Sequence, residues 1–216
     1  MKKILVVAAH PDDEILGIGG TLIKHTSCGD MVRTLILCEG ESFRYAKDMG
    51  QSVAIQEAAK VLGVEHVYLP KFPDQKLDTY TLTDIIDPLT KISEEYRPDT
   101  IYCQSWCDAN RDHKILFEAA NIAFRPTSEW VQDFYCFYTA SSTEWGVPRT
   151  FIPDTWVDIS GVLEKKITAF ENYHSEVREY PHPRSSDALR YQAHFWGNQC
   201  CMDAAEVLMS VRRVLR

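Results

Sequence analysis

The chain has 216 residues, of which 45% are hydrophobic and 25% are charged, a composition typical of a globular domain and not of a disordered segment. The formal net charge is −8, and an acidic surface repels a phosphate backbone, which argues against nucleic acid as a partner. The sequence has no run of about 18 apolar residues, so we expect no membrane span. The length suits a single domain over residues 1–216.

The cysteines predict a reducing environment. They are seven in number, they form no CxxC pair, and two of them, Cys200 and Cys201, are adjacent. A disulfide framework has a different pattern. We therefore expect a cytoplasmic protein in which most cysteines serve as small buried apolar residues.

Short apolar runs alternate with longer amphipathic stretches over the first 140 residues. The runs predict strands at Ile4–Ala9, Val32–Cys38, His66–Leu69, Thr100–Cys103 and Phe134–Tyr138, with helices between them at about 14–26, 50–62, 82–96 and 113–124. This alternation is typical of an α/β protein with a mostly parallel sheet that is covered by helices on both faces. The continuous apolar run of the first strand favours a central position in that sheet.

The pattern changes after about residue 141, where turn-forming residues become frequent. We expect one further strand at Thr155–Ile159 and two helices at about 160–175 and 186–213. The loop between these helices contains REYPHPRSSD, whose prolines exclude a regular helix.

The first predicted strand leads directly into His10-Pro11-Asp12-Asp13-Glu14. Adjacent carboxylates repel one another, and burial raises that cost unless a cation compensates for it. Because His and Asp are ligands of catalytic zinc, His10 and Asp13 could face one ion while Asp12 stays free. The alternative is a solvated helix start, which Asp12 caps and in which Glu14 favours the helix dipole.

A second polar cluster, DANRDH at residues 108–113, follows the fourth predicted strand. Open parallel sheets bind ligands beyond the carboxyl ends of their strands. His113 is therefore placed to provide a third metal ligand, and Asp112 to orient an imidazole or to bond another group of the site. The alternative is a helix start capped by Asn110 or Asp112, with His113 exposed.

The segment AAHPDDEILGIGGTL at residues 8–22 resembles the AHPDDE signature of the PIG-L/LmbE-like N-acetylglucosaminyl deacetylases. The similarity continues in EAAKVLGV at 57–64, in AFENYHSEV at 169–177 and in AAEVLMSVRRVL at 204–215, which resembles the terminal helix of the family. DANRDH falls where the family carries an HPDH-type motif. The likeness thus spans nearly the whole chain, although only AHPDDE is highly specific.

The resemblance implies a Rossmann-like three-layer fold and a mostly cytoplasmic enzyme. It implies that His10, Asp13 and His113 bind the metal, with Zn²⁺ preferred and another divalent transition metal as the alternative. It also implies that Asp12 is the general base. Asn110 would then donate a hydrogen bond to the oxyanion.

Two positions depart from the family pattern. Asn110 stands where the family usually has the first His of HPDH, and an amide cannot deliver a proton at neutral pH. Either Asp12 acts first as base and then as acid, or another residue, such as His182 of the PHPR loop, enters the site. Ala54 replaces an arginine that the family usually has, so the substrate contacts differ.

Three residues are predicted to bind substrate: Asp74 through sugar hydroxyls, Arg184 through a phosphate or carboxylate, and His182. The predicted function is zinc-dependent hydrolysis of the acetamide of an N-acetylated amino sugar or its conjugate, a linear amide C–N bond. Because relatives often assemble, a homo-oligomer is one expected state. The alternatives are a metal-dependent amidase or esterase for another acyl substrate, and a non-catalytic sugar- or nucleotide-binding module.

Overall fold

A seven-stranded sheet organises the part of the chain that the computed structural model describes, residues 1–41 and 50–215. The strands lie in the order β3-β2-β1-β4-β5-β7-β6, and β7 runs in the direction opposite to that of the other six. Their bounds are Lys3–Ala8 for β1, Met31–Ile36 for β2, His66–Tyr68 for β3, Thr100–Gln104 for β4, Asp133–Phe137 for β5, Thr155–Asp158 for β6 and Ala205–Arg213 for β7.

Helices cover both faces of this sheet. Their bounds are Asp13–Ser27 for α1, Gln51–Leu62 for α2, Leu82–Tyr96 for α3, Arg111–Ala123 for α4, Leu163–Glu171 for α5 and Ser186–Asn198 for α6. None of the helices in the described ranges is long and apolar enough to cross a membrane.

Strand β1 shows how the two cores are separated. Its side chains alternate between faces, so Ile4 and Val6 pack with α1, α2, α5 and α6, whereas Leu5 and Val7 pack with α3 and α4. All four side chains are fully buried. The structure thus confirms the predicted three-layer α/β fold with a mostly parallel sheet and a central first strand.

The expectation of one long terminal helix at 186–213 is wrong. Helix α6 ends at Asn198, the chain turns, and β7 inserts between β5 and β6. A Cβ at position 197 would lie 2.5 Å from the carbonyl oxygen of Met202, so this turn requires Gly197. Residues 205–209 are buried along their whole length, and a strand buried on both faces lacks the alternation that distinguishes it from a helix.

Helix α1 is broken at Ile18, and a buried ion pair stabilises the break. The carboxylate of Glu206 accepts hydrogen bonds from the backbone N–H groups of Gly20 and Thr21, at 2.9 and 2.7 Å. The same carboxylate lies 2.6 Å from Nζ of Lys166 on α5. These contacts tie α1, which begins with the carboxylates of the first polar cluster, to β7 and α5.

Candidate metal and active site

The two polar clusters of the sequence meet beyond the carboxyl ends of β1 and β4. These strands are neighbours, and β2 and β5 extend the sheet from them in opposite directions. Such a switch in strand order opens a crevice at the end of a parallel sheet, where ligands bind. Residues 10–14 follow β1 and residues 105–113 follow β4, so both clusters line this crevice.

Three potential metal ligands converge there. Nδ1 of His10 lies 3.2 Å from Nε2 of His113, and Oδ2 of Asp13 lies 3.3 Å from each of these nitrogens. All three side chains are buried. Ligand atoms arranged tetrahedrally at about 2.0–2.1 Å from an ion lie about 3.3–3.4 Å from one another. The three atoms therefore fit one face of a tetrahedral metal site.

Carboxylates hold both imidazoles from behind. Nε2 of His10 lies 3.1 Å from Oδ2 of Asp112 and 3.4 Å from Oδ1 of Asp74, and Nδ1 of His113 lies 3.1 Å from Oδ1 of Asp108. Asp112 accepts the N–H of the outer nitrogen of His10, whereas Asp108 faces Nδ1 of His113 at ion-pair distance without a hydrogen bond among the described residues. A carboxylate beside the outer nitrogen favours a proton there and leaves the lone pair of the inner nitrogen for a metal. These neighbours thus select the tautomers that metal binding requires.

Asp108 is a site residue that the sequence reasoning missed. The hydroxyls of Ser142 and Thr143 both donate to its carboxylate, Thr143 at 2.8 Å, and the backbone N–H of Asn110 donates at 2.8 Å. Asp108 stands in the same DANRDH segment as the predicted Asp112. Asp112 instead faces the imidazole of the other cluster, that of His10.

Asp13 has one oxygen that is heavily engaged and one that is not. Its Oδ2 accepts hydrogen bonds from Nε2 of Gln104 at 2.6 Å and from the backbone N–H of His10 at 2.9 Å. Its Oδ1 is buried without a hydrogen-bond partner among the described residues. The buried charge of such a carboxylate is costly unless a cation compensates for it.

The electrostatics of the cluster favour a positive charge. Burial lowers the pKa of His113, but the carboxylates of Asp13 and Asp108 outweigh burial and raise it to about 10. Burial likewise opposes the charge of His10, whose pKa is nevertheless raised by Asp112 and Asp13. The pKa of Asp13 is held well below its usual range by the two imidazoles, against the effect of burial. A divalent cation would replace these protons as the compensating charge.

Three consecutive carboxylates coexist because each has a different environment. Asp13 faces the imidazoles, whereas Oδ2 of Asp12 lies 3.2 Å from Nη1 of Arg184. Burial raises the pKa of Glu14 to about 8, the charges of Asp12 and Asp13 act in the same direction, and Tyr173 donates to its Oε1 at 3.0 Å. Glu14 is therefore mostly neutral at pH 7.

Asp12 has a backbone conformation that is rare for a residue with a side chain. Its φ of 94° lies in the left-handed region, and such strain is often found at functional sites. Asp12 does not contribute an atom to the three converging ligands. Its partner Arg184 also lies 2.6 Å from Oε2 of Glu176 and donates through Nε to the hydroxyl of Ser141 at 2.8 Å.

A second group of potential ligands uses the other side of His10. It combines His10 with Cys38 and Asp112. Burial raises the pKa of the Cys38 thiol, and the charge of Asp112 raises it further. Because a thiol must lose its proton to bind a metal well, this group is the poorer candidate.

The structure places the other predicted site residues, Asn110, Asp74 and His182, in three different environments. Asn110 caps α4 by accepting from the backbone N–H of Asp112 at 2.9 Å, and its amide donates to Gln75 at 3.3 Å. Asp74 is fully buried beside His10, a position that favours orienting the imidazole over contacting a sugar. His182 lies on the loop between α5 and α6, where its Nδ1 accepts from the backbone N–H of Arg184 at 3.0 Å.

Fold and site together define the class: a three-layer α/β protein with a candidate metal site. The candidate ligands, two histidines and one aspartate, lie where the strand order of the sheet switches direction, between β1 and β4. Residues 5–124 match the family model described as PIG-L, GlcNAc-PI de-N-acetylase, and the chain belongs to this family. It is 28% identical over 192 residues to the diacetylchitobiose deacetylase of Thermococcus kodakarensis, a match that covers 83% of this chain and 72% of that protein.

Solved structures share the whole fold. The conserved protein TT1542 from Thermus thermophilus is 25% identical, with a TM-score of 0.82 over 100% of this chain and 97% of that one. GalB, the 4-carboxy-2-hydroxymuconate hydratase from Pseudomonas putida KT2440, is 22% identical, with a TM-score of 0.80 over 100% of this chain and 98% of that one. The second likeness shows the fold alone, and it shows that this fold also carries a reaction other than deacetylation.

Proposed function

We propose that this protein is a zinc-dependent N-deacetylase that hydrolyses the acetamide of an N-acetylated amino sugar or its conjugate to acetate and a free amine. One observation carries the proposal: three buried ligand atoms, from His10, Asp13 and His113, lie 3.2–3.3 Å apart. Membership of a de-N-acetylase family supports the reaction, and the named relative supports a sugar substrate.

His10, Asp13 and His113 are the residues that would hold the ion. Two imidazoles and one carboxylate are a ligand set typical of catalytic zinc, which keeps one position open, and other divalent transition metals accept the same set. A bound ion would lower the pKa of water and polarise the acetamide carbonyl. Asp108, Asp112 and Asp74 keep the two imidazoles in the tautomers that this role requires.

Asp12 is the proposed proton carrier. Its carboxylate accepts a proton from the attacking water, whose oxygen bonds to the acetyl carbon. When the C–N bond breaks, Asp12 returns that proton to the departing amine, so that no separate acid is needed at position 110. Before it accepts the proton, the Asp12 carboxylate is positioned by its ion pair with Arg184.

Asn110 is the proposed donor to the acetamide oxygen. An amide group has two N–H donors, and within residues 1–41 and 50–215 the amide of Asn110 donates one hydrogen bond, to Gln75. A preorganised donor of this kind contributes roughly 10²–10³ in rate. His182, which accepts a hydrogen bond from the backbone of Arg184, is the alternative source of the proton for the amine. The proposed partner is a small N-acetyl sugar or sugar conjugate, and the proposed location is the cytoplasm.

Acetate release from N-acetylglucosamine, with and without a chelator, tests the proposal. We expect release by the zinc-loaded protein, its loss after chelation, and its recovery when zinc is added back. Parallel assays with an acylated amino acid separate the alternative amidase or esterase, and binding of N-acetylglucosamine without acetate release would indicate a non-catalytic sugar-binding module. Release that is unaffected by complete removal of metal would contradict the proposal.

A further inference from the structure

The segment between β3 and α3 places one amide side chain, that of Gln75, between two groups of the site. Its Oε1 accepts a hydrogen bond from the amide of Asn110 at 3.3 Å, and its Nε2 lies 3.2 Å from Nε2 of His10. Gln75 and Asn110 are both half-buried, so each packs against the cluster while part of its surface stays open to solvent. Gln75 thus connects a candidate metal ligand with the proposed donor to the acetamide oxygen.

The backbone of Gln75 adopts a conformation that a residue with a side chain rarely takes. Its φ of 55° lies in the left-handed region, which is unfavourable for an ordinary residue but not for glycine. The chain is fixed on both sides of this position. The backbone N–H of Asp74 donates to Glu39 at 3.0 Å, and that of Leu77 donates to Asp112 at 3.1 Å. A side chain held where glycine would be unstrained indicates that its contacts have a function.

Hydrogen bonds determine which way both amides point. Oδ1 of Asn110 accepts from the backbone N–H of Asp112 at 2.9 Å, so the nitrogen of Asn110 faces Gln75. Gln75 must then present its oxygen to Asn110, and its own nitrogen donates to Oδ1 of Asp74 at 3.4 Å. Rotating either amide by 180° would bring two donors or two acceptors face to face. Each amide therefore has a single orientation.

We propose that Gln75 is a positioning residue for the reaction, because it holds the amide of Asn110 with its second N–H directed to the acetamide oxygen. An amide group is planar and has two N–H donors, so the N–H that Asn110 donates to Gln75 sets the direction of the other. A donor that is fixed in advance stabilises the developing oxyanion without a cost of reorganisation. This proposal rests on the proposed function and adds to it a residue that lies outside both polar clusters.

Kinetics of the zinc-loaded Gln75→Gly protein test the proposal, with N-acetylglucosamine as substrate and acetate release as the readout. Glycine removes the amide and relieves the backbone, so the variant should fold and keep its metal. The matched control is Lys71→Gly, because Lys71 is an exposed residue of the same segment and also has a left-handed φ, 65°. Asn110→Ala and the double variant of Gln75→Gly with Asn110→Ala complete a double-mutant cycle.

We expect Gln75→Gly to lower kcat by about three- to tenfold, the effect of one neutral hydrogen bond, with KM within about twofold of the wild type. Asn110→Ala should lower kcat by roughly 10²–10³, and the double variant by no more, since Gln75 acts through Asn110. Lys71→Gly should change neither constant. An unchanged kcat, a loss confined to KM, an equal loss in Lys71→Gly, or losses that multiply in the double variant would overturn the role of Gln75.

Nuclear magnetic resonance of the Asn110 side-chain amide gives a readout that needs no turnover. Its signals are assigned by their absence in Asn110→Ala, and its order parameter should be high in the wild type and lower in Gln75→Gly. If the wild type releases no acetate, the proposed function fails, and this readout alone decides whether Gln75 orders Asn110. An order parameter that is unchanged in Gln75→Gly would contradict the positioning role even if deacetylation is confirmed.

Discussion

Helix α1 contacts two groups of buried charged side chains, one at its first turn and one at its midpoint. At the midpoint, Lys166 and Glu206 pair at 2.6 Å, and the carboxylate also accepts backbone N–H groups. At the first turn, Asp13 has a buried oxygen without a hydrogen-bond partner among the described residues, and further carboxylates surround two imidazoles. Buried charges that satisfy one another are structural, whereas a cluster with more buried carboxylates than cationic side chains indicates a cation site.

The largest effect should come from removing a ligand at the first turn. Asp13→Ala deletes one of the three converging ligand atoms, so we expect metal affinity to fall by more than the roughly 10–100-fold that loss of an outer hydrogen-bond partner costs. Acetate release should fall to background. Metal content after dialysis, measured by mass spectrometry, checks this, and a content equal to that of the wild type would refute the ligand role of Asp13.

A substitution at Asp12, in the same turn, should reduce catalysis without reducing metal binding. Asp12→Asn keeps the size of the side chain but removes the base, so kcat should fall by roughly 10²–10⁴ with metal content unchanged. Asp87→Asn is the matched control, since Asp87 is an exposed carboxylate that pairs only with Lys91 in the described part of the chain. Full activity of Asp12→Asn would remove Asp12 from the mechanism.

Removing a charge from the Lys166–Glu206 pair at the midpoint of α1 should lower stability and leave metal binding intact. Glu206→Ala leaves the buried Lys166 without its partner, which should lower the free energy of unfolding by about 3–5 kcal/mol, while the folded protein keeps its metal. The control is Glu164→Ala, which breaks an exposed pair with Arg190 and should cost about 1 kcal/mol or less. Urea denaturation measures both, and equal costs would contradict the structural role of the buried pair.

The last prediction concerns pH and the metal-free protein. The folded-state pKa of His113, about 10, lies above its ordinary value of 6.5, so its stabilising contribution is complete below pH 6.5 and is lost as the pH rises through 10. Glu14, whose pKa is raised to about 8, acts in the same direction between its ordinary pKa and pH 8. We expect Tm of the metal-free protein to fall from pH 6.5 to 9.5, and metal to weaken this dependence by displacing the proton from His113. A Tm that rises with pH over this range would contradict the account.

The sequence predicted the central sheet and the clustering of the site because both depend on local patterns. Buried apolar runs mark β1 and β4, and polar residues directly after them must meet at one edge of a parallel sheet. The order of residues along the chain is therefore enough to place His10, Asp13 and His113 near one another.

Other features depend on tertiary contacts that no local pattern reveals. Asp108 and Asp112 are both carboxylates of one short segment, and only the packed structure shows that Asp108 faces His113 while Asp112 faces His10. Strand β7 was expected to be helical because burial on both faces removes the alternation of apolar and polar residues. The ion pair between Asp12 and Arg184 joins residues far apart in the chain.

Anomalous diffraction at the zinc edge, from crystals of the zinc-loaded protein, tests the central claim most directly. The account predicts one buried peak at about 2.0–2.2 Å from Nδ1 of His10, Nε2 of His113 and Oδ2 of Asp13. A peak on the other side of His10, between Cys38 and Asp112, or no peak within reach of the three ligand atoms, would contradict it.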